Sequence, residues 1–186
     1  WRLSCDTAVF DKQFEAVVMA IPAEQAAALL ASWDKSFHRI AANTTADPCW
    51  TLMLAFPEPL ETAKMAFRDD AIIGWAARNS DKPGRAGPDA WVIQASPTWS
   101  KEHLEDDPHA IVAALSARFA SLIDIPLPEP LIASAHRWRY ARSGKTDQKA
   151  LYSKDLKIGV CGDWLIGPRV ECAWRSGTAL ARMILA

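Results

Sequence analysis

A nearly unbroken apolar run, stopped by proline and followed at once by an alanine-rich stretch, constrains this chain most. Phe14-Glu15-Ala16-Val17-Val18-Met19-Ala20-Ile21 ends at Pro22, as a buried strand would, because proline has no N–H with which to extend a ladder. Ala23 to Ser32 (AEQAAALLAS) then predicts a short helix. A related unit closes the chain. Leu156 to Val160 (LKIGV) predicts a strand entering Cys161-Gly162-Asp163-Trp164, and beyond a loop with Gly167 and Pro168 a helix is expected from about Val170 onward. A strand feeding a helix is an α/β signature, so both ends of the chain carry α/β character.

The middle reads differently. Cys49 to Phe56, Ala71 to Asn79 and Ala90 to Ser96 predict strands separated by turns bearing proline and glycine. A helix is expected from Glu102 or Asp107 to Ile123, with Pro108 in its first turn and Ile111, Ala114, Leu115, Phe119 and Leu122 at helical spacing. Pro126, Pro128 and Pro130 forbid regular structure, after which Leu131 to Arg142 predicts another strand. The fold class is therefore α+β, with an antiparallel-sheet subdomain and one covering helix inserted between α/β ends. The expected segments are 1–45, 46–150 and 151–186.

Composition removes several function classes. Of 186 residues, 50% are hydrophobic and 23% charged, which excludes wholesale disorder. A formal net charge of −1 argues against sequence-independent nucleic-acid binding, and no apolar run is long enough to span a bilayer. Cys5, Cys49, Cys161 and Cys172 are scattered without a Cys-x-x-Cys, which predicts reduced thiols in a cytoplasmic protein rather than a disulfide frame or metal site. Nine tryptophans are a high share, a density that accompanies planar ligands or deep pockets, since a buried indole N–H needs a partner. The chain opens at Trp1 with no methionine or leader, as a piece of a longer protein would.

The closing strand, Gly-Asp and helix unit is where chemistry is most legible. A carboxylate at a strand's C-terminal edge stands where open α/β sheets bind ligands. Gly162 permits close approach to the backbone, Asp163 can accept hydrogen bonds from polyol hydroxyls, and the N-terminus of the following helix suits an electron-rich ligand edge. On these residues alone an ordinary turn with small packing residues is the plainer explanation.

The segment Cys161-Gly162-Asp163-Trp164, running into Arg169-Val170-Glu171-Cys172-Ala173-Trp174-Arg175-Ser176-Gly177, resembles the C-terminal flavin motif of FAD-dependent amine-oxidase-like proteins, the bacterial renalase-like branch in particular. Four further stretches resemble that branch in the same order: Ala16 to Gln25, Trp75 to Arg85, Trp91 to Pro97, and His136 to Ala141. The resemblance implies the C-terminal part of a partial FAD-binding fold. The family's Gly-x-Gly-x-x-Gly phosphate cradle is absent, so the N-terminal Rossmann half is expected to be missing and FAD to bind this chain weakly or not at all. That missing half is the implied partner.

Roles follow by resemblance. Asp163 is expected to bond the ribityl chain of FAD, with Gly162 giving clearance. The backbone at Val170 and Glu171 is expected to face the N1/C2 edge of the isoalloxazine, and Ala20, Ile21 and Pro22 to approach the cofactor from another side. No side chain of this segment is expected to act as an acid or base. On the strand from Leu131, His136, Trp138 and Tyr140 should share one face and Arg137 and Arg139 the other. The aromatic face could cover a flat, nicotinamide-like substrate, or it could be core. The loop Asn79 to Arg85 could bind a substrate amide or phosphate, or simply solvate a hairpin. The implied activity is oxidation of a misreduced dihydronicotinamide dinucleotide to NAD(P), with oxygen reduced to hydrogen peroxide. An amine oxidase or desaturase-like flavoenzyme, and a noncatalytic α+β interaction domain, are the alternatives.

Overall fold

A computed structural model describes residues 1–5, 7–63 and 66–186, with the side chains of Cys5, Ala8, Val9 and Phe10 outside the description. The thiol expected at Cys5 therefore lies outside the described residues. In chain order the elements are β1 (Arg2–Cys5), β2 (Ala8–Gln13), β3 (Val17–Met19), α1 (Ala23–Leu30), α2 (Lys35–Ala42), β4 (Asp47–Phe56), β5 (Ala66–Arg68), β6 (Ile73–Arg78) and β7 (Asp89–Ala95). They continue with α3 (Pro97–Glu102), α4 (Pro108–Ile123), β8 (Ile132–Arg142), β9 (Leu151–Ser153), β10 (Ile158–Val160), a 3-10 turn (Asp163–Leu165) and α5 (Val170–Leu185). The fold is α+β. It forms two compact units, one from residues 1–46 and 142–186 and one from 47–141. Residues 142–150, grouped with the middle segment by sequence, pack with the chain's two ends.

In the discontinuous unit, β3 pairs parallel with β10, and β10 pairs antiparallel with β9. The apolar run 14–21 becomes a strand only over Val17–Met19, because its partner β10 is equally short, bounded by Lys157 in the left-handed region (φ 52) and by the turn at Gly162. α1 buries Ala23, Ala26, Ala27 and Leu30, the i, i+3, i+4, i+7 set that faces a core. Leu30, Ile158, Val160, Trp164 and Leu165 form the centre of that core. Helix α2, unforeseen from the sequence, begins where the Asp34 carboxylate accepts from the Ser36 and Phe37 amides at 2.9 and 3.0 Å.

In the continuous unit the sheet order is β5-β6-β7-β4-β8 among the described residues. Alternate residues of β4 and β7 send Trp50, Leu52, Leu54 and Phe56, with Trp91 and Ile93, into one core, against Ile111, Leu115 and Phe119 of α4. Of the two starts expected for α4, the structure takes the later one. Pro108 is the first helical residue and the Asp107 carboxylate accepts from the His109 amide at 2.8 Å.

Asp70 ties the β5–β6 turn to α4. It accepts from the Ile72 and Ile73 amides at 3.1 and 2.9 Å and from both Nε and a terminal nitrogen of Arg118. Hydrogen bonding from Arg118 chiefly, with the two amides, outweighs desolvation and holds the Asp70 carboxyl well below the usual carboxylate range. A depressed pKa stabilises the fold above the unfolded-state value of about 3.9, and that contribution fades as pH falls through and below it. Urea unfolding at pH 6 and pH 3 should therefore show the stability gap between the native protein and Asp70→Asn narrowing at the lower pH. An unchanged gap would refute the assignment.

Candidate functional site

Strands β3 and β10 run parallel, so their C-terminal ends lie together, the edge at which α/β sheets bind ligands. The Cys161 amide donates to the Met19 carbonyl at 3.0 Å, which places Ala20, Ile21 and Pro22 beside the Gly162–Trp164 turn. Trp164 closes the gap between them. Its indole is buried and its N–H donates to the Ile21 carbonyl at 3.1 Å. Ala20 and Ile21 also line a cavity of about 460 Å³ with Trp1, Leu29 and Trp33.

At Gly162, the close approach is made from within the chain. The backbone is extended (φ 166), and a Cβ there would meet Trp164 Cδ1 and Nε1 at 2.6 Å. The missing side chain thus makes room for the Trp164 indole. The Gly162 amide donates to Ser176 Oγ at 3.0 Å, joining the turn to α5.

Asp163, half-buried, accepts from Ser143 Oγ on Oδ2 at 3.3 Å, while its main-chain carbonyl takes the amides of Ile166 and Gly167 at 2.8 and 2.6 Å. Among the described residues its other carboxylate oxygen has no hydrogen-bond partner. α5 then begins at Val170, 90% exposed, with no side-chain cap at Arg169. The Cys172 and Ala173 amides bond the Arg169 carbonyl at 2.9 and 3.2 Å, but those of Val170 and Glu171 meet no acceptor among the described residues. An open helix tip, a half-paired carboxylate and two strand ends are a set that can accept polyol hydroxyls and favour negative charge. Burial pushes the neighbouring Cys161 thiol up, which keeps it protonated and unreactive.

In the continuous unit, β8 alternates as the sequence predicts. Arg137 donates to the Leu104 carbonyl at 2.6 Å and pairs with Glu105, and Arg139 holds both oxygens of Glu105 at 2.7 and 2.9 Å. The opposite face carries His136, Trp138 and Tyr140, with the first two rings 4.4 Å apart edge to face and Trp138 54% exposed. These aromatics are not core.

The loop after β6 is a turn. The Asn79 amide donates to the Ala90 carbonyl at 2.6 Å, Gly84 and Gly87 take positive φ (74 and 121), and Arg85 is exposed. This loop joins β6 to β7, whereas β8 lies beyond β4, entering where the Leu131 amide meets the Ala55 carbonyl at 2.8 Å. Asn79 and Arg85 are therefore not brought to the aromatic face of β8. Their neighbour Asp89 is the organising residue that sequence reading missed. It faces Arg78 Nε at 3.1 Å and accepts from the Leu60 amide, Ser80 Oγ and Trp91 Nε1 at 2.9, 3.0 and 3.1 Å. A lone Asp opening an apolar strand is the only signal for it.

Part of the tryptophan density has a structural cause. Trp50, Trp91 and Trp164 are fully buried, and each indole N–H has an internal acceptor: the His103 carbonyl, Asp89 and the Ile21 carbonyl. Only some of the others, among them Trp33, Trp138 and Trp174, are exposed.

No family model matches the sequence. Among solved structures, the chain is similar over 99% of its length to a protein from Exiguobacterium sp. that carries the provisional name protoporphyrinogen oxidase (TM-score 0.73, 17% identity, 44% of that chain). It is similar over 95% to cyclohexylamine oxidase from Brevibacterium oxydans (TM-score 0.68, 13% identity, 44% of that chain). An oxidoreductase from Methanosarcina mazei matches over 95% (TM-score 0.63, 14% identity, 44% of that chain). At such identities the likeness is one of fold, and the chain spans less than half the length of each of these proteins.

Proposed function

We propose that this chain is the C-terminal part of an FAD-dependent oxidoreductase of the flavin amine-oxidase kind, working in the cytoplasm with an N-terminal dinucleotide-binding half. The likeness of fold to oxidases over nearly the whole chain supports the class. The observation that carries the reading is the open first turn of α5, whose unpartnered amides at Val170 and Glu171 follow directly on a strand-end carboxylate at Asp163. Bound FAD supplies hydride acceptance and electron delivery to oxygen. The chain's own residues hold and orient it. The free oxygen of Asp163 accepts ribityl hydroxyls, Ser143 fixes the other oxygen, and the amides of Val170 and Glu171 favour negative charge at the pyrimidine edge of the ring.

The substrate we infer is a misreduced dihydronicotinamide dinucleotide, covered by His136, Trp138 and Tyr140 without the loop residues Asn79 and Arg85, which lie away from that face. An amine substrate is the second reading, favoured by the same exposed aromatics, which suit a cation as well as a flat ring. Absorbance assays of the complete protein decide between them. Turnover of scrambled dihydronicotinamides with peroxide release, and none of simple amines, is the expected result.

In the complete protein, Asp163→Ala should weaken FAD retention about tenfold or more, the loss of one or two charge-assisted hydrogen bonds. His136→Ala should leave FAD in place and change KM. Full flavin occupancy and unaltered affinity in Asp163→Ala would remove the role given to that carboxylate.

A further inference from the structure

A different flank of α5 carries a second feature. Lys149, Arg175 and Arg182 surround a cavity of about 170 Å³, with Trp174, Thr178 and Ala179 completing its wall. Positions 175, 178, 179 and 182 recur at helical spacing and so share one flank of the helix, and Lys149 meets them from the approach to β9. That approach is fixed, because the buried Ser176 hydroxyl donates to the Lys149 carbonyl at 2.7 Å. Among the described residues no carboxylate pairs with any of the three cations, although Arg78, Arg118, Arg137 and Arg139 all have acidic partners. Three like charges around one concavity repel each other, and an anion among them removes that cost.

The size and rim of the cavity narrow the ligand. It is smaller than the roughly 300–1,000 Å³ of pockets that enclose a whole small molecule, so it admits a charged head rather than a complete ligand. Arg175 and Arg182 stand two turns apart, about 10 Å along the axis, a span better filled by two linked phosphates than by one. Guanidinium groups grip phosphate oxygens in pairs. At the rim the Trp174 indole is 70% exposed, a plane on which an attached base can stack. We propose that this flank is a binding site for a nucleoside diphosphate, its phosphates between Lys149, Arg175 and Arg182 and its base on Trp174. The site uses none of the residues assigned to the flavin.

Calorimetric titration of the 186-residue chain with ADP, inorganic pyrophosphate and adenosine tests it, alongside Trp174→Ala and the double variant Arg175→Glu/Arg182→Glu, both surface changes whose folding is checked by circular dichroism. ADP should bind about fivefold or more tighter than pyrophosphate, an advantage of at least ~1 kcal/mol from stacking, and adenosine should bind far more weakly than either. Trp174→Ala should erase the advantage of ADP, and the charge-reversed variant should lose both phosphate ligands. ADP affinity unchanged by charge reversal, adenosine binding as tightly as ADP, or no ADP binding at all overturns the proposal. ADP no tighter than pyrophosphate overturns the nucleoside assignment. A complete protein without flavin would defeat the oxidoreductase reading and leave these titrations unaffected.

Discussion

Asp89→Ala should destabilise the 47–141 unit by about 3–5 kcal/mol, the typical loss when one partner of a buried ion pair is removed. Asp89 is 5% exposed and receives Leu60, Ser80 and Trp91 as hydrogen-bond donors, with Arg78 alongside as counter-charge. Truncation leaves the Arg78 guanidinium, which also donates to the Leu60 carbonyl at 2.6 Å and lies 5.1 Å from the Trp91 ring, buried and without its carboxylate. The Leu60 amide and the Trp91 indole lose their acceptor at the same time. Urea unfolding followed through tryptophan fluorescence measures the change. A loss under about 1 kcal/mol would mean that the network is solvated and that Asp89 does not organise the β6–β7 loop.

Gly162→Ala should cost about 1–3 kcal/mol, as overpacking a rigid core does. The added methyl meets the Trp164 ring at 2.6 Å, and that ring cannot easily yield, being buried and bonded to the Ile21 carbonyl. Trp164→Ala alone should cost about 3–5 kcal/mol through the cavity it leaves. The informative measurement is the double variant. With the indole gone, the alanine at 162 has room, so its cost should largely vanish and the two losses should fall well short of additive. Additive losses would show that Gly162 is required for some reason other than the indole. The expectation from sequence placed a ligand over Gly162, whereas the structure places Trp164 there.

Much of the fold was legible because its signals are local. Alternation at Trp50, Leu52, Leu54 and Phe56 fixes which face of β4 turns inward, and Asp107-Pro108 ahead of Ile111, Leu115 and Phe119 starts α4. The β8 faces separated as the period of two requires. Several features escaped, and three show why. Helix α2 has its cap, Asp34, and its apolar face in plain sight, but it is eight residues long. Helix α3 hides behind Ser96-Pro97, a start signal followed by only six helical residues. β9 is a strand only because β10 pairs with it, and no local pattern encodes a three-residue partner. For the candidate site, the sequence shows which residues are polar or small, but not what fills the space beside them. That the Trp164 indole occupies the space at Gly162, and that Asp89 collects four groups, depend on tertiary packing.

The pairing of Val17 with Ile158 has a consequence for the order of events during synthesis. The 47–141 unit is one uninterrupted stretch and has every strand and helix it needs before residues 142–186 leave the ribosome. The other unit closes only when residues near position 160 reach a strand that precedes the whole 47–141 stretch. Until then the nascent chain carries Ala26, Ala27 and Leu30 without Ile158, Val160 and Trp164, which complete their core, a long-range closure that slows folding and invites capture by chaperones.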